Sequence, residues 1–133
     1  GLGERQIKID CDVIQADGGT RTASISGGFI ALYQAVNMIK KNYNITKPII
    51  KEFLGAVSVG IIDEKANLDL NYEEDSAAQV DANFVICESG NIAEIQSTGE
   101  EYFFSREQFN ELFNLANKGV LEIISKQKQT LSL

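Results

Sequence analysis

The sequence predicts an α+β domain in which a mainly antiparallel or mixed sheet carries its helices packed on one face. Three observations lead there. Short apolar segments of strand length recur along the chain, several separated by tight polar turns that favour hairpins. Two longer stretches repeat their apolar residues every three or four positions, the period of an amphipathic helix. A length of 133 residues fits a single domain, 1–133, with a core of its own.

The elements follow in order. Ile7, Ile9, Cys11 and Val13 alternate with Lys8, Asp10 and Asp12, which predicts a half-buried strand. Gln15 to Thr22 is polar and glycine-bearing and reads as a loop. From Ala23 the period changes. Ile25, Phe29, Leu32, Val36 and Ile39 form the stripe of a helix ending near Lys40-Lys41, whose charges suit the negative end of the helix dipole. Gly27 and Gly28 in its first turns cost about 1 kcal/mol each relative to alanine. They serve either close packing against a sheet or room for a ligand. Phe53 to Ile62 is nearly all apolar, as in a central strand buried on both faces. Asp63 to Asn67 makes the turn into a second strand, where Leu68, Leu70 and Tyr72 alternate with Asp69, Asn71 and Glu73. Asp75 to Asp81 is irregular, and Phe84 to Cys87 pairs with Ile92 to Gln96 around Ser89-Gly90-Asn91. Ser105 and Gln108 form a capping box that opens the last helix, with Phe109, Leu112, Phe113, Ala116, Val120 and Ile123 as its buried stripe.

Composition narrows the function. A net charge of −7 argues against a free-standing nucleic-acid binder, since neutralising phosphates takes a cationic face. The absence of histidine removes Ser-His-Asp and Cys-His catalysis and the usual zinc sites. Cys11 and Cys87 are far apart with apolar neighbours, which predicts buried thiols in a reducing, cytoplasmic setting rather than a disulfide. No apolar run approaches the roughly 18–20 residues that span a bilayer, so no membrane partner is expected.

Two clusters carry chemistry. Gly18-Gly19-Thr20-Arg21-Thr22 stands between a predicted strand and a helix, where free first-turn amides and the positive dipole end favour an anion. Arg21 adds a planar fork that matches phosphate oxygens two at a time. The plainer alternative is a capped helix start beside a solvated arginine. The segment is neither GxxxxGK[ST] nor GxGxxG. Asp69, Asn71, Glu73, Glu74, Asp75 and Asp81 concentrate acid, and strand alternation would put Asp69, Asn71 and Glu73 on one face, able to collect a hard cation. A solvated acidic hairpin is the alternative. An EF-hand is excluded, because Glu74 and Val80 occupy the positions of its glycine and closing glutamate.

The run from Ile9 to Ser24, IDCDVIQADGGTRTAS, closely resembles the signature of ribonuclease PH, as do Ala56-Val57-Ser58-Val59-Gly60 and Leu68 to Ala78. Three such stretches in the right order make the resemblance specific. It runs from about Leu2 to the final helix and corresponds to the C-terminal half of the family's usual polypeptide. It implies a phosphate-dependent 3′-to-5′ exoribonuclease that trims transfer-RNA 3′ ends and releases nucleoside diphosphates. It further implies that Gly19, Thr20 and Arg21 hold inorganic phosphate. Asp69 and Asp75 would be the catalytic pair, binding a divalent metal, Mg²⁺, or assisting proton transfer. The assembly implied is a hexameric ring that binds RNA.

Asn71 stands where the family commonly has another acid. The family's other half supplies a second phosphate-binding arginine and much of the basic RNA surface, so the chain by itself is expected to be inactive and to expose an apolar face. A non-catalytic ring subunit of the same fold is the competing expectation.

Overall fold

A computed structural model describes residues 2–133. The sheet is built around β1, Leu54–Ile62, whose residues are buried along nearly their whole length. It turns at Asp63 and Glu64, both left-handed at φ 49° and 61°, into β2, Lys65–Leu68. Two consecutive left-handed residues match the twist of the flanking strands, so pairing resumes at once with Ile62 opposite Lys65. β3 (Val80–Cys87) pairs with β1 along its length, and β4 (Ile92–Gly99) pairs with β3. All pairings are antiparallel, in the order β2-β1-β3-β4.

The second predicted strand is corrected. Pairing begins at Lys65 rather than Leu68, and the chain leaves the sheet at Asp69, left-handed at φ 64°. Tyr72–Ala77 is instead a short helix, α2, closed by a capping box in which Asn71 Oδ1 accepts from Glu74 N and Glu74 Oε2 accepts from Asn71 N. The apparent alternation had another cause. Leu70 is buried as a plug in the space left by Gly60, where a Cβ would lie 2.5 Å from Leu70 Cδ1, whereas Tyr72 is exposed.

The last helix, α3 (Arg106–Thr130), has the predicted capping box, with Ser105 Oγ accepting from Gln108 N and Gln108 Oε1 from Ser105 N. Its Leu112, Ala116, Val120 and Ile124 enter one apolar cluster with Val57, Val59 and Ile61 of β1 and Val80, Ala82, Phe84 and Ile86 of β3. Gly119 brings the helix close, since a Cβ there would meet Leu68 at 2.9 Å.

The first helix, α1 (Thr20–Asn42), contributes Phe29 to the same cluster. It also lies along the half of β1 that β2 leaves unpaired, where Ser26 Oγ accepts from Ala56 N at 3.0 Å and donates to Ala56 O at 3.2 Å. Its buried line is therefore Thr22, Ser26, Phe29 and Val36, two of them polar, while Ile25, Leu32 and Ile39 are only partly covered. Gln127 of α3 ties the helices together by donating from Nε2 to Ser26 O and Leu54 O.

The first predicted strand is also corrected. Residues 5–13 have the alternation but form no strand, and no neighbouring strand reaches them in the sheet. The segment runs beside α1, where Gly28 faces Ile9 and Cys11 at ordinary contact distance and Gly27 faces open space. Ile9, Val13 and Ile14 are 43%, 49% and 99% exposed, so an apolar surface is left open. Cys11 is exposed and Cys87 half-buried, against the expectation of two buried thiols; both are free. Burial, then nearby Glu52, pushes the Cys87 thiol above its usual pKa.

Candidate active site

Gly19 occupies the N-cap of α1 at φ 73°, and no side chain caps the helix. The backbone amides of Thr20, Arg21 and Thr22 form its first turn, which has no acceptors within the helix. Thr22 Oγ1 donates to Gly19 O at 2.9 Å and stiffens the turn from inside. An uncapped, positively polarised helix end is thus presented at the surface.

This end opens into a cleft of about 300 Å³ lined by Gly18, Gly19, Thr22, Ser26, Leu68, Asp69, Gly119, Glu122 and Lys126, among others. Asp69 stands close to the loop: a side chain on Gly19 would lie 3.9 Å from Asp69 Oδ1. The left-handed backbone at Asp69 and the hydrogen bond its N–H donates to Ser58 O at 2.8 Å set that position. The uncapped helix start at Gly19 and the Asp69 carboxylate therefore share one cleft, though they lie 50 positions apart in the sequence.

Consecutive helical residues diverge by roughly 100°, and the three side chains after Gly19 show it. Thr22 lines this cleft, Arg21 an apolar groove with Ile9, Cys11 and Leu54, and Thr20 a third groove with Asp12 to Gln15. Arg21 is engaged by Glu94 of β4, with Nη2 donating to Oε1 at 2.7 Å. Of Gly19, Thr20 and Arg21, only Gly19 lines the cleft that Asp69 also lines.

The acids do not share a strand face. Asp69 is at the cleft, Asn71 and Glu74 are used in capping α2, and Glu73 and Asp75 belong to α2 itself. Asp75 and Glu100 stand near enough to Asp81 to add to the effect of burial in raising the Asp81 pKa. Among the described residues, no group of three or more Cys, Asp or Glu side chains comes together as a metal site. Asp75 faces Asp81 and is not among the residues that line the cleft with Asp69.

Asp17 was not given a role by its sequence pattern. Its Oδ1 accepts from Gly18 N at 2.8 Å and from Tyr72 N at 2.7 Å, and these bonds hold its carboxyl below the usual carboxylate range. Gly18 packs directly on the same connection, because a Cβ there would lie 1.9 Å from Leu70 O. The Asp-Gly-Gly order is the only signal the sequence offers for this pinning. Glu94 gave none, being one acid among many.

No helix among the described residues is long and apolar enough to cross a membrane. Residues 52–119 match the 3′ exoribonuclease family, domain 2. The chain is 56% identical over 131 residues to ribonuclease PH of Bacillus subtilis (strain 168), covering 98% of this chain and 54% of that protein. It therefore spans about half the length of the curated relatives it matches. Among solved structures it resembles rice (Oryza sativa) Rrp46, with a TM-score of 0.69 and 18% identity over 89% of this chain and 49% of that one. It also resembles an archaeal exosome core, with a TM-score of 0.63 and 19% identity over 86% and 47% of the two chains. At these identities the structural likeness concerns the fold.

Proposed function

The chain belongs to the 3′ exoribonuclease family as its second domain, and on that premise we propose that it supplies the phosphate-binding and acidic part of a phosphorolytic exoribonuclease. The observation that carries this reading is the uncapped, left-handed start of α1 opening beside Asp69 in one cleft. Phosphate seated on the first-turn amides would be positioned as the nucleophile. One of its oxygens attacks the phosphorus that links the 3′-terminal nucleotide to the RNA. The bond to the preceding 3′ oxygen breaks, a nucleoside diphosphate leaves, and the shortened RNA takes a proton on its 3′ oxygen. Asp69 and Asp75 are the groups proposed to handle that proton and to hold Mg²⁺. The bound metal would offset charge on the phosphodiester.

Phosphate and Asp69 are both anionic, so the cleft needs positive charge in addition to the helix end. Lys126 lines the cleft and supplies some, and Arg21, half exposed, would add to it by leaving Glu94. A transfer-RNA 3′ end is the proposed substrate, bound mainly by basic surface outside this acidic chain, in a hexameric ring and in the cytoplasm. The test is product analysis at the full length of the ribonuclease PH relatives. RNA should shorten from its 3′ end only with phosphate, giving nucleoside diphosphates; monophosphates formed without phosphate would refute the reading. Asp75→Asn should suppress turnover while leaving folding intact.

The Arg21–Glu94 pair favours one alternative, a non-catalytic ring subunit in which that arginine is structural. Mg²⁺-dependent turnover in the assembled protein excludes it.

A further inference from the structure

We propose that Asp17 is a positioning residue that fixes the phosphate-binding loop at a set distance from Asp69, which lines the same cleft, and from the start of α2. The inference rests on the functional reading above and adds a residue to it. A single oxygen, Asp17 Oδ1, accepts from Gly18 N at 2.8 Å and from Tyr72 N at 2.7 Å. The first amide precedes the N-cap of α1; the second begins α2, which carries Asp75. Between them, the α-carbon of Gly18 rests on Leu70 O with no space for a side chain. The loop and the Asp69–Tyr72 connection are thus joined at two points, one polar and one steric.

That joint has functional weight because the groups it relates have no other direct bond described between them. Asp69 is anchored to β1 through Ser58 O, and Gly19 is anchored to α1. Without Asp17, only the Gly18–Leu70 contact would hold the loop to the connection that carries Asp69, and the loop could shift while both elements stayed folded. Displacements of about 1 Å at a reacting centre cost on the order of 100-fold in rate. Asp17 is itself exposed and is not one of the residues lining the cleft, which it meets only through the Gly18 amide, so its effect would pass through geometry.

The experiment compares Asp17→Ala and Asp17→Asn with the wild type, at the full length of the relatives, measuring initial rates of RNA phosphorolysis against inorganic phosphate. The wild type must first depend on phosphate; if it does not, the functional reading fails and the variants are not needed to show it. Given that dependence, Asp17→Ala should raise the KM for phosphate and lower kcat/KM on the order of 10- to 100-fold. Asp17→Asn keeps an oxygen acceptor at the same place and should stay within about threefold of wild type. A purely structural role would instead reduce kcat through loss of folded protein while KM stayed constant. Should Asp17→Ala fold poorly, amide exchange at Gly18 and Tyr72 in Asp17→Asn gives the second reading. Retained protection of both amides with near-normal KM supports the joint. Wild-type KM in a folded Asp17→Ala, or an equal rise in KM in Asp17→Asn with both amides protected, overturns it.

Discussion

Arg21 Nη2 and Glu94 Oε1 are 2.7 Å apart, joining the first turn of α1 to β4 across the sheet. Both side chains are about half exposed, at 50% and 42%. An ion pair so placed contributes about 0–1 kcal/mol, little enough for phosphate to compete with it. Glu94→Gln should therefore lower the phosphate KM, by up to about fivefold if the competing pair is worth about 1 kcal/mol. Arg21→Ala should raise that KM, and neither change should shift thermal unfolding by more than a few degrees. Phosphate titrations of phosphorolysis rate check both. An unchanged KM in Glu94→Gln would mean that the arginine does not exchange partners.

Gly18→Ala should be the most damaging small change in the loop. Its Cβ would stand 1.9 Å from Leu70 O, and backbone cannot yield as a flexible side-chain tip can. Overpacking of this kind costs about 1–3 kcal/mol. Denaturant unfolding should show that loss, whereas Gly27→Ala, facing open space within α1, should be neutral or stabilising. Equal stability of the two variants would contradict the close approach.

The sequence carried most of the sheet and both long helices, because β1 is continuously apolar and α3 declares its start through Ser105 and Gln108. It failed where one pattern can serve two geometries. Ile7 to Val13 alternates as a strand does, but a strand also needs a partner, and none of β1–β4 lies beside it. Leu68, Leu70 and Tyr72 alternate because two are packed from different backbone conformations, not because they share a sheet face. Gln127 lies in a run of Lys and Gln that resembles solvated surface, yet it is 2% exposed and bridges α1 to β1. For the site, residue types near Gly18–Arg21 pointed to an anion; which side chains turn toward it depended on helical divergence and on Glu94, neither visible as a motif.

Asn71 separates capping from metal chemistry. Its side chain accepts from Glu74 N at 2.8 Å, a bond an aspartate would make equally well. Asn71→Ala should cost about 1 kcal/mol and loosen α2. Asn71→Asp should leave unfolding unchanged while adding a carboxylate between Asp69 and Asp75 in the sequence. Thermal unfolding of the two variants checks the cap. A loss in Asn71→Asp equal to that in Asn71→Ala would show that the charge, rather than the bond, is what position 71 cannot tolerate.

Asp81 gives a pH prediction of definite sign. It lies in β3 opposite Gly60 and Thr98, and burial, then the charges of Asp75 and Glu100, raises its pKa above 3.8. A carboxyl raised on folding holds its proton longer in the folded chain than in the unfolded one. Stability from this group is therefore full below the unfolded pKa and falls as pH rises through the folded value. Near neutral pH the penalty is complete. Asp81→Asn removes the charge while keeping similar size, so it should unfold at a higher temperature than wild type near pH 7. The difference should disappear by about pH 3, where the unfolded carboxylate is itself mostly protonated. Asp75→Asn should recover part of the same gain, because it removes one of the two neighbouring charges but not the burial. A stabilisation of Asp81→Asn that persisted undiminished at low pH would assign the effect to packing in β3 rather than to the half-buried charge.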